Sequence, residues 1–229
     1  MAQMGITLDD KQADAFVRYY EMLIEKNKVM NLTAITDPEE VLVKHFADSL
    51  APGMLTGRLI DVGTGAGFPS LPLKIAFPDL EVTMLDSLGK RINFLNEVIA
   101  ELKLNGISAY HGRAEDLARD PAHRERYDYV VSRAVAHMSI LAEYCIPFVK
   151  CGGSFIAYKS REYLNGQEAE TAEKAVELLG GRTEEIRRVD LPECDADRCL
   201  VYIKKISHTA KTYPRKAGTA KRMPLGKPF

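Results

Sequence analysis

The chain has 229 residues, of which 46% are hydrophobic and 28% are charged, a composition typical of a folded globular protein. These values exclude a wholly disordered chain, a collagen-like fibre and a disulfide-dense small protein. The net charge of -1 conceals an asymmetry, because residues 198–229 carry nine basic and no acidic residues. Residues 1–197 carry 22 basic and 32 acidic residues, a net charge of -10. A basic end on an acidic body indicates a polyanionic partner.

The N-terminus and the cysteines predict a cytoplasmic protein. The opening sequence MAQMGITLDD has neither the basic nor the apolar region of a secretory signal. No stretch approaches the ~20 apolar residues of a membrane span. The four cysteines form no C-x-x-C pair and lie at no zinc-finger spacing from a histidine, so we expect reduced thiols and no metal site.

Residues 1–55 are predicted to form an N-terminal helical extension. Apolar residues recur at helical spacing within residues 7–30, and Thr7 followed by Asp10 resembles a capping box. A second helix is predicted to begin at Asp37, a capping residue followed by a proline at the first helical position, and to end near a Pro-Gly pair.

Residues 56–206 are predicted to form the main domain, a three-layer α/β fold. Short strand-like segments alternate with helical segments, among which residues 88–104 are the clearest and residues 162–179 form a polar helix. This alternation requires right-handed crossovers and a mainly parallel sheet with helices on both faces. The last two strands are close enough in sequence to form an antiparallel hairpin. The predicted strands are residues 58–63, 81–86, 107–112, 127–134, 152–159, 183–191 and 199–205.

Residues 207–229 are predicted to be a basic tail and not a packed element, because three prolines and two glycines are interspersed among basic residues. Basic side chains with an aromatic on flexible backbone suit single-stranded RNA, although a merely solvated tail is the alternative. The tail is assigned no cofactor contact. The predicted RNA contacts are Lys211, Tyr213, Arg215, Lys216, Lys221 and Arg222.

The turn after the first predicted strand, Asp61-Val62-Gly63-Thr64-Gly65-Ala66-Gly67-Phe68, is the sharpest local signal. Ligands of such sheets bind at the carboxyl ends of the strands, and glycine lets backbone approach a ligand closely. The spacing is G-x-G-x-G and not the G-x-G-x-x-G of dinucleotide sites. The acid before the glycines suits the ammonium of an amino-acid-like ligand, so the turn favours S-adenosylmethionine over NAD. A turn that uses glycine only for packing is the alternative.

Acidic residues after the next two strands support a nucleoside site. Asp86 ends the second strand, where its two oxygens can accept hydrogen bonds from both ribose hydroxyls; capping of the following helix is the alternative. Ala114 and Glu115 follow the third strand, where the adenine edge is expected, although an acidic helix start explains them equally simply.

Six segments, in order along the chain, resemble the bacterial small-subunit ribosomal RNA methyltransferase G family, also known as the glucose-inhibited division protein B family. The resemblance implies a Rossmann-like class I methyltransferase that transfers methyl from S-adenosylmethionine to N7 of one guanine in the decoding region of 16S ribosomal RNA. The segments are residues 31–35 (NLTAI), 45–50 (HFADSL), 61–72 (DVGTGAGFPSLP), 85–91 (LDSLGKR), 132–136 (SRAVA) and 213–219 (YPRKAGT).

The resemblance also implies cofactor-binding positions, namely Gly63, Phe68, Ala114, Glu115 and Arg133. Two positions depart from the pattern of many relatives: Ser70 replaces glycine and Ala220 replaces proline. Neither departure lies at an expected cofactor contact.

The residues are compatible with N7 as the methyl acceptor. Methylation of an exocyclic amine usually requires a polar–Pro–Pro–aromatic motif after the fourth strand, where residues 132–136 read SRAVA. Methylation of a pyrimidine carbon requires a cysteine nucleophile, and no Pro-Cys pair occurs. Guanine N7 carries no proton, so its methylation requires in-line placement rather than a general base. No catalytic residue is obvious, with Arg133 the one candidate.

Other polar residues are assigned to the substrate side. Arg133 is expected to contact the cofactor or the guanine, with a surface ion pair as the alternative. Lys159 ends the fifth strand and is expected to meet RNA phosphate, or to be an ordinary strand-end lysine. His45 shares a helix face with Asp48 and Ser49, as a hydrogen-bond cluster that fixes the fold or as a wall of the substrate pocket.

Asn31, between the first two helices, has the same two interpretations as His45. The sequence thus predicts a monomeric ribosomal RNA methyltransferase. The alternatives are a methyltransferase of another substrate, which the basic tail disfavours, and an RNA-binding protein without catalysis, which the intact acidic and glycine positions disfavour.

Overall fold

A computed structural model describes residues 4–133, 136–160, 162–191 and 198–226. The predicted segment SRAVA lies partly outside these ranges, as do Cys194 and Lys227. The described helices are α1 (Asp10–Met30), α2 (Pro38–Val41), α3 (Ser70–Ala76), α4 (Gly89–Glu101), α5 (Ala114–Leu117), α6 (Met138–Cys145), α7 (Glu162–Asn165), α8 (Gln167–Leu178) and α9 (Thr219–Arg222).

Within the described ranges, seven strands form one sheet in the order β3-β2-β1-β4-β5-β7-β6. The pairs among β1 to β5 are parallel, and β7 runs antiparallel to both β5 and β6. The predicted α/β class and the C-terminal hairpin are therefore confirmed. The strands are β1 (Arg58–Val62), β2 (Glu81–Asp86), β3 (Ile107–His111), β4 (Tyr127–Arg133), β5 (Val149–Ser160), β6 (Gly181–Val189) and β7 (Arg198–Lys205).

Two apolar clusters cover the two faces of the sheet. The first includes residues of α1, α3 and α4, and the second includes residues of α6 and α8. The central strand β1 is buried along most of its length, as expected for a parallel strand covered on both faces.

The N-terminal helices share the first of these clusters, since Phe16, Tyr19 and Leu23 of α1 are buried in it. Helix α1 begins later than the sequence pattern suggested, because Asp9 and not Thr7 forms the capping box, with Gln12.

The second N-terminal helix begins as predicted. Asp37 accepts hydrogen bonds from the backbone of Glu39 and Glu40. After α2 the helix widens into a π-helical turn over Leu42–Ala47, a feature that often occurs at functional sites.

The prediction of an unpacked tail is wrong for residues 207–226, which we call the C-terminal segment. Ala220 is buried in the second apolar cluster, and Tyr213 and Leu225 pack against it. Thr209 is also buried. Sequence periodicity missed this packing, because it uses single apolar side chains and backbone hydrogen bonds instead of a repeating apolar face.

None of the described helices is long and apolar enough to cross a membrane. Cys145, Cys151 and Cys199 carry free thiols. Within the described part of the chain, no three histidine, cysteine or acidic side chains come together as a metal-binding group.

Candidate cofactor and substrate cleft

A cleft of about 560 Å³ opens at the carboxyl ends of β1, β2 and β4, where the strand order reverses. Its volume lies within the ~300–1,000 Å³ range of small-molecule sites. The elements that follow these strands bring together many of the side chains predicted from the sequence. The predicted residues that line the cleft are His45, Gly63, Gly65, Phe68, Asp86, Ala114, Glu115, Arg133 and Lys221.

The glycine turn combines two roles. Gly63 and Gly65 line the cleft and have φ of +77° and +62°, values that favour glycine. A Cβ at Gly65 would meet no atom within 4 Å, whereas one at Gly67 would lie 2.3 Å from Leu71 Cδ1. The first two glycines therefore open the cleft, and Gly67, which does not line it, permits close packing of α3.

Asp61 lies beneath the glycine turn and not in the wall of the cleft. Its side chain is fully buried, and Oδ2 accepts hydrogen bonds from Ser70 Oγ at 2.6 Å and Ser70 N at 3.3 Å. Its Oδ1 is buried without a hydrogen-bond partner among the described residues. Burial raises the pKa of Asp61 to about 7, although Ser70 and Thr64 oppose the rise. The ammonium of a ligand is predicted to reach Asp61 directly or through water, and the structure places this carboxylate behind the exposed wall. Its Oδ1 is a buried acceptor that still lacks a donor.

Asp86 orders the opposite side of the turn. Its Oδ2 accepts from Gly65 N at 3.0 Å and Arg91 Nη1 at 3.2 Å, and its Oδ1 accepts from Leu88 N at 2.9 Å. The backbone contact to Leu88 agrees with the capping alternative, but Asp86 also lines the cleft. A carboxylate oxygen can accept more than one hydrogen bond, so Asp86 can cap the helix and still face a ligand in the cleft.

Ala114 and Glu115 form the wall beyond Asp86. Glu115 is buried, and its Oε1 accepts a hydrogen bond from the backbone of Gly218 at 3.0 Å. Burial, and then the charges of Glu115 and Glu143, raises the pKa of Tyr144 to about 12. The tyrosine hydroxyl therefore stays protonated at neutral pH.

Arg133 lies half-buried at the other end of the cleft. Its Nη1 donates to Asp48 Oδ2 at 3.0 Å, and its Nη2 donates to His45 Nδ1 at 3.3 Å. The guanidinium carbon lies 4.8 Å from the centre of the Phe68 ring, a cation–π distance. The surface-ion-pair interpretation of Arg133 is wrong, because only 13% of its side chain and 2% of that of Asp48 are exposed.

His45 is held as a neutral ring. Its Nδ1 faces Arg133, which only donates, so Nε2 carries the proton and donates to Thr33 Oγ1 at 2.8 Å. Burial, and then the charge of Arg133, lowers the pKa of His45 to about 4. The ring also stacks on Phe68 with 4.5 Å between ring centres.

The family of the chain follows from comparison with known proteins. Residues 12–195 match the family model described as rRNA small subunit methyltransferase G (GidB). The chain belongs to this family. A protein named ribosomal RNA small subunit methyltransferase G from Lachnoclostridium phytofermentans is 54% identical over 98% of this chain and 94% of its own length. A protein of the same name from Acetivibrio thermocellus is 50% identical over 96% and 92%. The resemblance predicted from the sequence motifs is thus confirmed.

Solved structures support the Rossmann-like class I methyltransferase fold of this methyltransferase G family member. TYW2 of M. jannaschii, solved in complex with AdoMet, matches with a TM-score of 0.57 and 16% identity over 76% of this chain and 80% of that chain. A SAM-dependent methyltransferase from Aquifex aeolicus matches with a TM-score of 0.54 and 18% identity over 74% and 94%. At 16–18% sequence identity, the similarity to these two structures shows a shared fold and nothing more.

Lys159 does not reach the cleft of this methyltransferase G family member. It lines a neighbouring cavity, where it pairs with Glu168 at 2.5 Å and donates to Ala136 O at 3.0 Å. Only 12% of its side chain is exposed, so its predicted contact with RNA phosphate is wrong for this conformation.

Asn31 also lies outside the cleft. It is exposed and ends α1 in the left-handed conformation with φ of +49°. Its neighbours Leu32 and Thr33 do line the cleft, so the NLTAI segment reaches the site through residues that the sequence did not single out.

The predicted RNA contacts of the C-terminal segment divide into two groups. Arg215 is committed to the buried Glu143, with 2.6 Å between Nη2 and Oε2, and its assignment as a phosphate contact is wrong for this conformation. Tyr213 is half-buried. The exposed members are Lys211, Lys216, Lys221 and Arg222.

Sequence reasoning missed further residues of the cleft wall. Tyr144 belonged to no motif, Gly218 lay in the segment YPRKAGT without being assigned to the site, and Arg113 preceded the residues singled out. Arg91 could have been found, since it closes the segment LDSLGKR and lies five residues after Asp86.

Proposed function

We propose that this chain transfers the methyl group of S-adenosylmethionine to N7 of a guanine in small-subunit ribosomal RNA. It is a methyltransferase of small-subunit ribosomal RNA by family membership, whereas the acceptor atom and the residue roles given below are our assignments. We also assign its activity to the cytoplasm.

One observation supports this proposal above all others. A single cleft contains the glycine turn, Asp86 and Glu115 at one end and the Arg133–His45 pair at the other. The first group suits the cofactor and the second suits an electron-rich heterocycle, so both reactants fit against one edge of the sheet.

The residues present fit S-adenosylmethionine. Gly65 leaves open space where a side chain would stand, and the orphaned Asp61 Oδ1 offers negative charge beneath the methionine end. Asp86 is placed for the ribose hydroxyls, and Ala114 with Glu115 for the adenine edge. Bound S-adenosylmethionine supplies a methyl group activated by a sulfonium centre.

The chain itself orients the acceptor. Phe68 and the ring of His45 form a stacked apolar floor beside Arg133, on which a purine can lie. Alignment of this kind lowers the barrier by restricting the reactants to a productive geometry. Transfer to N7 forms the N–C bond, breaks the C–S bond with its electron pair leaving on sulfur, and moves the positive charge to the purine without releasing a proton.

The titratable groups at this end agree with a reaction that needs no base. His45 has a pKa of about 4 and both of its ring nitrogens are engaged, so it neither accepts nor donates a proton in the neutral range. The guanidinium of Arg133 only donates hydrogen bonds and offers no acceptor for a proton. Guanine N7 fits these groups as the methyl acceptor, because its methylation requires no proton to be removed.

Cations at the rim support an RNA substrate. Arg113 and Lys221 are exposed where they line the cleft, and Lys211, Lys216 and Arg222 are exposed on the C-terminal segment. We assign these side chains to RNA phosphates, because such contacts position a protein on RNA and dominate its affinity.

The acceptor atom is tested by incubating the protein with small ribosomal subunits and labelled S-adenosylmethionine, followed by nucleoside mass spectrometry. We expect label in N7-methylguanine, and none with the Gly65→Val variant, whose side chain would fill the cleft. Single-turnover rates with both substrates saturating should stay flat from about pH 6.5 to 8.5. Label on an exocyclic amine or a ribose would contradict the proposal.

A further inference from the structure

The C-terminal segment reaches the same cleft from the side opposite to the glycine turn. Gly218 and Lys221 line the cleft, although no cofactor contact was predicted for this segment from the sequence. Its route to the cleft is fixed by a series of hydrogen bonds that begins at Thr209, nine residues before Gly218.

Two arginines of the main domain hold the first part of the segment by its backbone. Arg124 donates from Nη1 to Tyr213 O at 2.8 Å and from Nη2 to Thr209 O at 2.8 Å. Arg119 donates from Nη2 to Pro214 O at 2.5 Å. These three hydrogen bonds form only while the segment is docked, so the two arginines favour its docked position.

A buried ion pair then fixes the next residue. Glu143 of α6 is fully buried and accepts from Arg215 N at 2.7 Å, from Arg215 Nε at 2.9 Å and from Arg215 Nη2 at 2.6 Å. Backbone and side chain of one arginine thus meet one carboxylate, which fixes position as well as charge.

Three residues later the segment contacts the adenine wall. Gly218 has φ of +82°, and in this conformation its N–H points to Glu115 Oε1 at 3.0 Å. The charge of the same carboxylate acts on Tyr144, the residue next to Glu143. Arg215 and Gly218 are therefore connected to the cleft through adjacent residues of α6.

We propose that residues 213–222 form the outer wall of the adenosine end of the cofactor site, with Gly218 and Arg215 as positioning residues. The Gly218 N–H holds one oxygen of Glu115 and leaves the other for the adenine amine. Arg215 holds Gly218 in place through Glu143. This inference rests on the proposed function, because it takes S-adenosylmethionine as the ligand.

A consequence is that cofactor and segment stabilise each other. If docking of the segment raises cofactor affinity, the bound cofactor must favour the docked segment by the same factor. If the segment only stabilised the fold as a whole, cofactor binding would not change how firmly the segment is docked.

The first test measures binding of S-adenosylhomocysteine by calorimetry, with thermal unfolding to verify the fold. Gly218→Ala forces a side chain into a backbone conformation that L-residues rarely adopt, without any clash. Gly53→Ala is the matched control, because Gly53 has φ of +80° and equally open space but does not line the cleft. We expect binding about tenfold weaker for Gly218→Ala and within twofold of wild type for Gly53→Ala.

The second variant pair separates anchoring from charge. Arg215→Gln should weaken binding, and Arg215→Lys, which retains the charge and one hydrogen bond to Glu143, should recover part of the loss. Arg182→Gln removes an exposed charge on β6, at the far edge of the sheet, and should bind as wild type does.

The linked readout is hydrogen exchange in the wild-type protein with and without S-adenosylhomocysteine. We expect exchange of residues 213–222 to slow by tenfold or more, with little change in β6, which lies at the far edge of the sheet. Suppose that the wild type binds S-adenosylhomocysteine. The inference is overturned if Gly218→Ala then binds it equally well, or if hydrogen exchange of residues 213–222 does not change on binding. Absence of binding to the wild type would instead overturn the proposed cofactor.

Discussion

The two ends of the chain both support the cleft, but they do so with different chemistry. The N-terminal helix α1 packs through a row of apolar side chains, and the hydroxyl of its buried Tyr19 donates to Ala66 O of the glycine turn at 2.7 Å. The C-terminal segment docks mainly through arginine–carbonyl and arginine–carboxylate hydrogen bonds. A repeating apolar face is visible in a sequence, whereas a set of paired polar groups distant in sequence is not. Four substitutions sharpen this comparison.

The largest effect is expected at the C-terminal end. Arg215→Ala leaves Glu143 as a fully buried carboxylate without its cation, and removal of one partner of a buried pair typically costs about 3 kcal/mol or more. We expect a loss of about 3 kcal/mol in the free energy of unfolding, measured by urea denaturation. Lys216→Ala, at an exposed neighbouring position, should change it by less than about 0.5 kcal/mol. Equal stability of the two variants would show that the segment is not anchored at Glu143.

The difference between the two ends also explains what the sequence could predict. The strands lie within about three residues of their predicted ends. The central parallel strands β1 and β2 are the clearest, because buried parallel strands form short apolar runs. The glycine turn and Asp86 reach the cleft because the ends of parallel strands meet at one edge of the sheet. The sequence did not reveal that Lys159 and Arg215 pair with Glu168 and Glu143, since such pairs depend on which elements the fold brings together. The residues therefore look like free phosphate ligands in the sequence.

On the glycine-turn side, Gly65→Val is expected to abolish measurable cofactor binding in a folded protein. The new side chain would project into the open cleft, and its backbone would be strained by about 1–2 kcal/mol at φ of +62°. Gly152→Val is the control, because Gly152 also has a positive φ and open space without lining the cleft. Calorimetric titration with S-adenosylhomocysteine should find wild-type affinity in the control. Unchanged affinity in Gly65→Val would place the cofactor elsewhere.

Asp61 should make cofactor affinity depend on pH. Its pKa of about 7 in the free protein means that binding of a cationic ligand favours the carboxylate and releases a proton below neutrality. We expect affinity to rise about tenfold between pH 6 and pH 8 and then level off. Asp61→Asn should bind more weakly and without this rise, as measured by titration at several pH values.

The same carboxyl has the opposite effect on stability without cofactor. Because the pKa of Asp61 in the folded state lies above its ordinary value of 3.8, the stabilisation from its protonated form is fully present below about pH 4 and is lost as pH rises through 7. As pH rises over this range, the unfolding free energy of the wild type should therefore fall relative to that of Asp61→Asn. A pH-independent difference would show that Asp61 does not titrate there.

The smallest effect is expected where the N-terminal helix contacts the glycine turn. Tyr19→Phe removes the donor to the buried carbonyl of Ala66, which should cost about 1 kcal/mol of stability and weaken cofactor binding a few-fold, since Ala66 lines the cleft. Tyr20→Phe is a matched control, because the adjacent hydroxyl donates to Thr36 O at 3.1 Å in an exposed position, where water replaces the lost bond. Urea denaturation and cofactor titration of both variants compare a buried with an exposed hydroxyl on one helix. Identical results would mean that α1 supports the turn through apolar packing alone, and the polar connection to the cleft would then belong to the C-terminal segment only.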